Sequence, residues 1–164
     1  MKKPLKILTE ASGCLTSSYI IEAIKQAGHI ACASDIDSFN AAKIEADEFI
    51  LMPKANDPNL WEKTLNLCLK HHIDVVLPTL DESLLGWSER IEMFAKHHIS
   101  VLLSPPHTIA TFIDKWQSYK FFKKIHIPTP KSALYKHYGI VKPRFGRGGV
   151  GIAKGSDFLT GGGG

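Results

Sequence analysis

Forty consecutive residues, from Lys115 to Lys154, contain no aspartate or glutamate. A stretch without carboxylates is built to face an anion, or an acidic partner. The chain up to Asp114 has the opposite balance, with 10 Lys and Arg against 15 Asp and Glu. From Lys115 onward there are 10 basic residues and a single acid, Asp157. Cysteine is scarce as well. Cys14, Cys32 and Cys68 stand far apart, with no CxxC pair and no Cys/His ligand spacing. That excludes a zinc cluster or a disulfide framework and points to a reduced, cytoplasmic setting. Long apolar runs are missing. The first, residues 5–8, is too short for a signal peptide, and nothing approaches a membrane span. Two glycine signatures are also absent. The turn after the first strand reads Thr9-Glu10-Ala11-Ser12-Gly13-Cys14, with one glycine and an acid where a pyrophosphate would sit, so dinucleotide binding of the G-x-G-x-x-G type does not fit. No G-x-x-x-x-G-K-[ST] run exists, which excludes a Walker-type NTPase.

Short apolar runs alternate with helical patterns over the first hundred residues. Strands are predicted at residues 5–9, 30–34, 49–52, 74–78 and 101–103. Between them, Tyr19, Ile20, Ala23, Ile24 and Ala27 recur at helical spacing up to a stop at Gly28. Asp57-Pro58 reads as a helix start, with Asp57 as N-cap. Leu84, Leu85, Trp87, Ile91 and Phe94 mark one further helix, and Ser104-Pro105 caps a short one. Strands separated by helices imply right-handed crossovers, hence an α/β fold with a five-stranded parallel sheet covered on both faces. Residues 70–78 are echoed by residues 96–104, each segment opening Lys-His-His-Ile. The two His pairs suit helix C-termini better than a metal site. Asp35, Asp37, Asp81 and Glu82 follow strands two and four. They read as helix N-caps, with substrate contact at the carboxyl ends of the strands as the alternative. A small ligand has a second candidate place at the turn around Glu10, Ser12 and Gly13, together with Thr79, Asp81 and Glu82.

The character changes after Asp114-Lys115. Trp116, Tyr119 and Phe122 lie on one face of a basic helix ending near Lys124, and Ile127-Pro128-Thr129-Pro130 is a stiff connector. Ile140-Val141 then leads into Lys142-Pro143-Arg144-Phe145-Gly146-Arg147-Gly148-Gly149-Val150-Gly151. Two strands joined by such a loop form a hairpin. Its glycines let backbone N–H groups approach a ligand, and Lys142, Arg144 and Arg147 suit phosphate oxygens. A lone Arg-Gly-Gly element between two strands argues against nucleic-acid binding, because RNA-binding tails repeat it in disordered sequence.

The order of these pieces resembles the ATP-grasp superfamily, and within it the single-domain proteins similar to the carbamoyl-phosphate synthase large subunit. The resemblance covers about residues 7–152. It rests on Leu77-Pro78-Thr79-Leu80-Asp81-Glu82, Ser104-Pro105, Asp114-Lys115, Ile127-Pro128-Thr129-Pro130, and the segment from Val141 to Gly151. It implies a pre-ATP-grasp αβ domain over residues 1–112, followed by the start of an α+β ATP-grasp lobe over residues 113–160. Lys115 and Lys142 would be the two phosphate-binding lysines, joined on the nucleotide by Arg144, with Gly146, Arg147, Gly148, Gly149 and Gly151 in the flap over ATP. The reaction implied is activation of a small carboxylate as an acyl phosphate, for attack by an amine or other nucleophile. Magnesium is expected in such enzymes, but its carboxylate ligands and the adenine-binding hinge would lie past residue 164, so metal ligands in this chain are expected to be none. The segment 131–138 is shorter than the family pattern, and the glycines at 161–164 read as a tail or linker. The resemblance thus implies the front part of a ligase, inactive alone. The alternative is a non-catalytic nucleotide- or phosphate-binding module, or a subunit completed by another chain. The aromatic face of the basic helix would then pack on the αβ domain, on a second copy in a homodimer or on a complementing chain, or stay mobile.

Overall fold

The first five strands are short, β-branched or apolar, and separated by helical segments, and they assemble as that pattern dictates. The computed structural model describes residues 3–135 and 139–154. β1 (Lys6–Thr9), β2 (Ile30–Asp35), β3 (Glu48–Leu51), β4 (Val75–Leu77) and β5 (Ser100–Val101) form one sheet in the order β3-β2-β1-β4-β5, every pair parallel. The chain winds outward from β1 to β3 and then returns to the other side of β1. The switch point therefore lies between the carboxyl ends of β1 and β4, where Thr9 is in register with Leu77.

Period-two alternation sends neighbouring side chains to opposite faces. Cys32 of β2 joins Leu8, Ile50, Cys68, Val76, Trp87 and Phe94 in one core. Ala31 and Ala33 point to the other core, with Ile21, Ile24 and Ala42. Those aliphatic positions come from α1 (Ser17–Gln26) and the single turn α2 (Ala42–Glu45). The first core is closed by α3 (Leu60–Lys70), α4 (Asp81–Ser88) and α5 (Ile91–Ala95), whose rings interlock. Trp87 lies edge-on to Trp61 at 5.1 Å and against Phe94 at 5.0 Å. Gly86 is required there, because a methyl group would overlap the Trp61 indole. Burial pushes the Cys32 thiol up to about 11 and the Cys68 thiol to about 12, so both act as small apolar core groups.

Three helix starts differ from the sequence reading. The expected single helix through Leu84 and Phe94 is two helices, α4 and α5, with Arg90 as the N-cap of the second. Asp57 is not an N-cap. Its carboxylate accepts from the Asn59 N–H at 2.9 Å and from Lys63 Nζ at 2.6 Å, and α3 begins only at Leu60. Ser104 does not cap the next helix either. Pro105 takes the N-cap place of α6 (Pro106–Ile113), and Pro106 enters the first turn.

The helix ends repeat one device. Gly28 (φ 80°), His72 (φ 54°), His98 (φ 62°) and His126 (φ 59°) are all left-handed. In each case the following N–H reaches back five residues, as His29 to Ile24 O, Ile73 to Cys68 O, Ile99 to Phe94 O and Ile127 to Phe122 O. These are Schellman turns. The His-His echo in the sequence marks two of them.

The chain divides into two compact units between Ser104 and Pro105, earlier than the boundary expected near residue 112. The cause is packing of α6 on α7 (Lys115–Lys124). Phe112 meets Phe121 at 5.4 Å and Phe122 at 5.7 Å, and the Ser118 hydroxyl donates to Thr111 O. The second unit also holds the antiparallel pair β6 (Ile140–Val141) and β7 (Ala153–Lys154), the expected hairpin. Residues 136–138 of the shortened connector, residues 155–160 and the glycine run 161–164 lie outside the described residues. Among the described residues, no helix is long and apolar enough to cross a membrane.

Candidate functional site

In the first unit, the residues singled out at the strand ends gather around the switch point, and several of them are held by hydrogen bonds within the unit. Glu10 follows β1 directly. Its carboxylate accepts from Ser83 Oγ at 2.7 Å and from Trp87 Nε1 at 3.0 Å, and its carbonyl accepts from Thr79 Oγ1 at 2.6 Å. Ser12 is buried. Its hydroxyl shares a 2.7 Å hydrogen bond with Thr9 Oγ1 and accepts from Ser34 N at 3.1 Å. Gly13 donates its N–H to Asp35 Oδ2 at 2.8 Å. Asp35 also accepts from Asp37 N, and Asp37 from Phe39 N, so both hold loop backbone instead of capping a helix. Asp81 and Glu82 occupy the first turn of α4, where the helix dipole favours a negative charge, and neither caps it. Ser83, which the sequence did not mark, and Trp87, which it marked only as a helix position, are the groups that hold Glu10. Their spacing of four on one helix was the available signal.

In the second unit, the residues around the glycine loop are joined to the start of α7. Asp114 caps that helix, its Oδ1 accepting from the N–H groups of Trp116 at 2.9 Å and Gln117 at 3.2 Å. The same carboxylate receives Arg144 at two points, Nε to Oδ1 at 2.8 Å and an η nitrogen to Oδ2 at 2.5 Å. The guanidinium and the helix N–H groups hold the Asp114 carboxyl down at about 2. Lys115 donates its backbone N–H to Arg144 O at 3.1 Å and its ammonium to Gly146 O at 2.7 Å. Two of the cations expected on phosphate, Lys115 and Arg144, are thus engaged within the chain. Lys142 lies at the exposed foot of the loop, just past β6.

Gly146, Gly148, Gly149 and Gly151 all have positive φ, at 111°, 65°, 75° and 73°. At Gly151 a side chain would also run into Pro143, 2.6 Å from the place of a Cβ. Beside the loop base is a cavity of about 460 Å³. Lys115, Lys131, Lys142 and Arg144 line it together with Trp116, Tyr119 and Phe122 of α7. The aromatic face of the basic helix is therefore half-buried within its own unit, with Trp116 and Tyr119 stacked at 5.2 Å. Lys131 was not anticipated, since a lysine in a proline-flanked connector carries no local signal.

The donor set suits phosphate oxygens, with four cationic side chains beside a glycine-rich backbone. It does not suit magnesium, which needs several oxygen ligands. Asp114 is the only carboxylate among the described residues of the second unit, and both of its oxygens are in use. Among the described residues, no group of three or more His, Cys, Asp or Glu is placed to hold a metal ion.

Comparison with solved structures gives the same fold. Staphylococcus aureus N5-carboxyaminoimidazole synthetase, complexed with ADP, superposes with a TM-score of 0.69 at 17% identity, over 94% of this chain and 42% of that one. The Thermotoga maritima N5-carboxyaminoimidazole ribonucleotide synthetase gives 0.64 at 21% identity, over 92% and 40%. Biotin carboxylase from Campylobacter jejuni gives 0.64 at 20% identity, over 93% and 38%. The chain spans less than half the length of each of these enzymes. A search of curated proteins finds no match. The family model described as the PylC-like N-terminal domain matches residues 11–102, which run from the turn after β1 to just past β5 and include four of the five strands of the sheet. The chain belongs to the PylC-like N-terminal domain family, and its fold is that of the N-terminal portion of ATP-grasp ligases.

Proposed function

We propose that this chain supplies the αβ domain and the phosphate-clasping hairpin of an ATP-dependent carboxylate–amine ligase. The observation that carries the reading is the glycine hairpin that follows the family-matched domain, with Lys115, Lys131, Lys142 and Arg144 around one cavity at its base. ATP, when bound, supplies the phosphoryl group that converts a small carboxylate into an acyl phosphate open to attack by an amine or other nucleophile. Lys142 and Arg147 neutralise phosphate charge, and the backbone N–H groups at Gly148, Gly149 and Gly151 orient the oxygens. The loop, once over the ligand, excludes water. Lys115 joins them when it leaves the Gly146 carbonyl. The substrate carboxylate is expected beside the ends of β1 and β4, near Thr79 and Asp81. No step is assigned to a metal ion, because the residues present do not fit one.

Calorimetry of the chain with ATP, with and without magnesium and at two salt concentrations, tests this reading. Weak, salt-sensitive binding with little preference for the base is expected, and Lys142→Ala should weaken it further. Tight, magnesium-dependent and adenine-selective binding would show a complete site in this chain. Binding that ignores Lys142→Ala would remove the hairpin from phosphate recognition.

A second reading is a phosphate-binding module, or a subunit completed by a partner chain. The observation favouring it is the engagement of both Asp114 oxygens. ATP turnover by this chain with added carboxylate and amine would exclude that reading.

A further inference from the structure

The three links between the start of α7 and the glycine loop are not equivalent. The first joins Asp114 and Arg144, two charges in bidentate contact, with Asp114 only 4% exposed. Breaking it would leave a buried carboxylate without its cation. The second is the backbone hydrogen bond from Lys115 N to Arg144 O. The third runs from the Lys115 ammonium, which also reaches Arg144 O at a longer 3.5 Å, to the neutral carbonyl of Gly146 at 2.7 Å, a residue whose φ of 111° glycine alone adopts readily. A phosphate oxygen carries a full negative charge, so it adds to the hydrogen bond a Coulombic attraction for the ammonium that a neutral carbonyl does not supply. The same lysine lines the cavity shared with Lys131, Lys142 and Arg144, so an anion entering there competes with Gly146 O for it.

We propose that Lys115 is a latch: its ammonium holds the glycine loop by the Gly146 carbonyl until a phosphate group takes its place, while Asp114 and Arg144 keep the base of the hairpin fixed. Phosphate binding then releases the loop at the moment the cavity fills, and the freed residues can fold over the ligand without movement of α7. The inference rests on the phosphate reading above.

Nuclear magnetic resonance on the full chain tests it, with sodium triphosphate as the probe. The Gly146 carbonyl carbon reports the latch directly. Without ligand, Lys115→Met should shift that signal and speed exchange of the Val150 and Ile152 amides, which donate to Arg147 O and Gly149 O within the loop, by about fivefold, the discounted effect of losing a charge-assisted bond at a half-exposed position. Exchange within α7 should stay unchanged. Saturating triphosphate should move the wild-type Gly146 signal to the Lys115→Met position. The Lys115 Nζ signal follows the same event without any substitution and should shift with triphosphate. A Gly146 signal indifferent to Lys115→Met overturns the latch. Triphosphate that shifts Lys142 and Arg147 but leaves Gly146 and Lys115 Nζ in place overturns the exchange and leaves the phosphate reading standing. No response anywhere in the second unit overturns the phosphate reading, and the release step with it.

Discussion

Glu10 accepts a 3.0 Å hydrogen bond from the indole Nε1 of Trp87, which is 2% exposed and lies at the centre of the first unit's aromatic cluster. The acid that counts against a pyrophosphate at the first turn is therefore a structural acceptor. Glu10→Ala strands a buried N–H donor and should cost about 2 kcal/mol, whereas Glu10→Gln keeps an acceptor and should cost less than about 1 kcal/mol. Urea unfolding followed by Trp fluorescence measures both. Equal midpoints for wild type and Glu10→Ala would show that Glu10 is free for a substrate.

The Asp114–Arg144 pair makes the second unit sensitive to acid. Arg144 is the main cause of the low Asp114 value, about 2 against an ordinary 3.8, so the folded state binds its proton later than the unfolded state does. The stabilisation is complete above the unfolded value and is lost as pH falls through the folded one. Amide exchange in α7, measured relative to its intrinsic rate at each pH, should be steady from neutral pH down to about 4 and should rise between about 4 and 2. Asp114→Asn, which can still cap the helix, should flatten that rise. An unchanged profile in Asp114→Asn would assign the acid transition to other groups.

The left-handed histidines at two helix ends of the first unit are avoidable strain. His72→Gly and His98→Gly should each raise stability by about 0.5 kcal/mol, the relief of a left-handed side chain offset by the greater freedom of glycine in the unfolded chain. The urea midpoint of the double variant should exceed that of either single one. A lower midpoint would mean that the imidazoles contribute more than their backbone geometry costs.

At the hairpin, Gly151→Ala should weaken phosphate binding without unfolding the first unit. The added methyl meets Pro143, and the φ of 73° disfavours any side chain. A several-fold loss of triphosphate affinity is expected, together with an unchanged near-ultraviolet spectrum of the Trp61–Trp87 pair. Retained affinity would show that the loop can shift its turn at little cost.

Local signals in the sequence carried the architecture. Apolar alternation located all five parallel strands to within one or two residues, and the stop at Gly28, the basic helix over residues 115–124 and the hairpin were legible in the same way. These features depend on neighbours in the chain, through periodicity, φ preference and charge bias. Tertiary structure decided which polar groups are committed to each other. Arg144 meets Asp114 across 30 residues, and Trp87 meets Glu10 across 77. Asp57 turned to Lys63 and a loop N–H instead of a helix. The unit boundary moved to Ser104–Pro105 because α6 found its apolar partner in α7. The sequence alone determined that this chain has a covered parallel sheet and a cationic glycine hairpin. Only the fold decided which of those cations are engaged, because hydrogen bonds and ion pairs depend on distance in space, and that distance is set once the sheet and helices have packed.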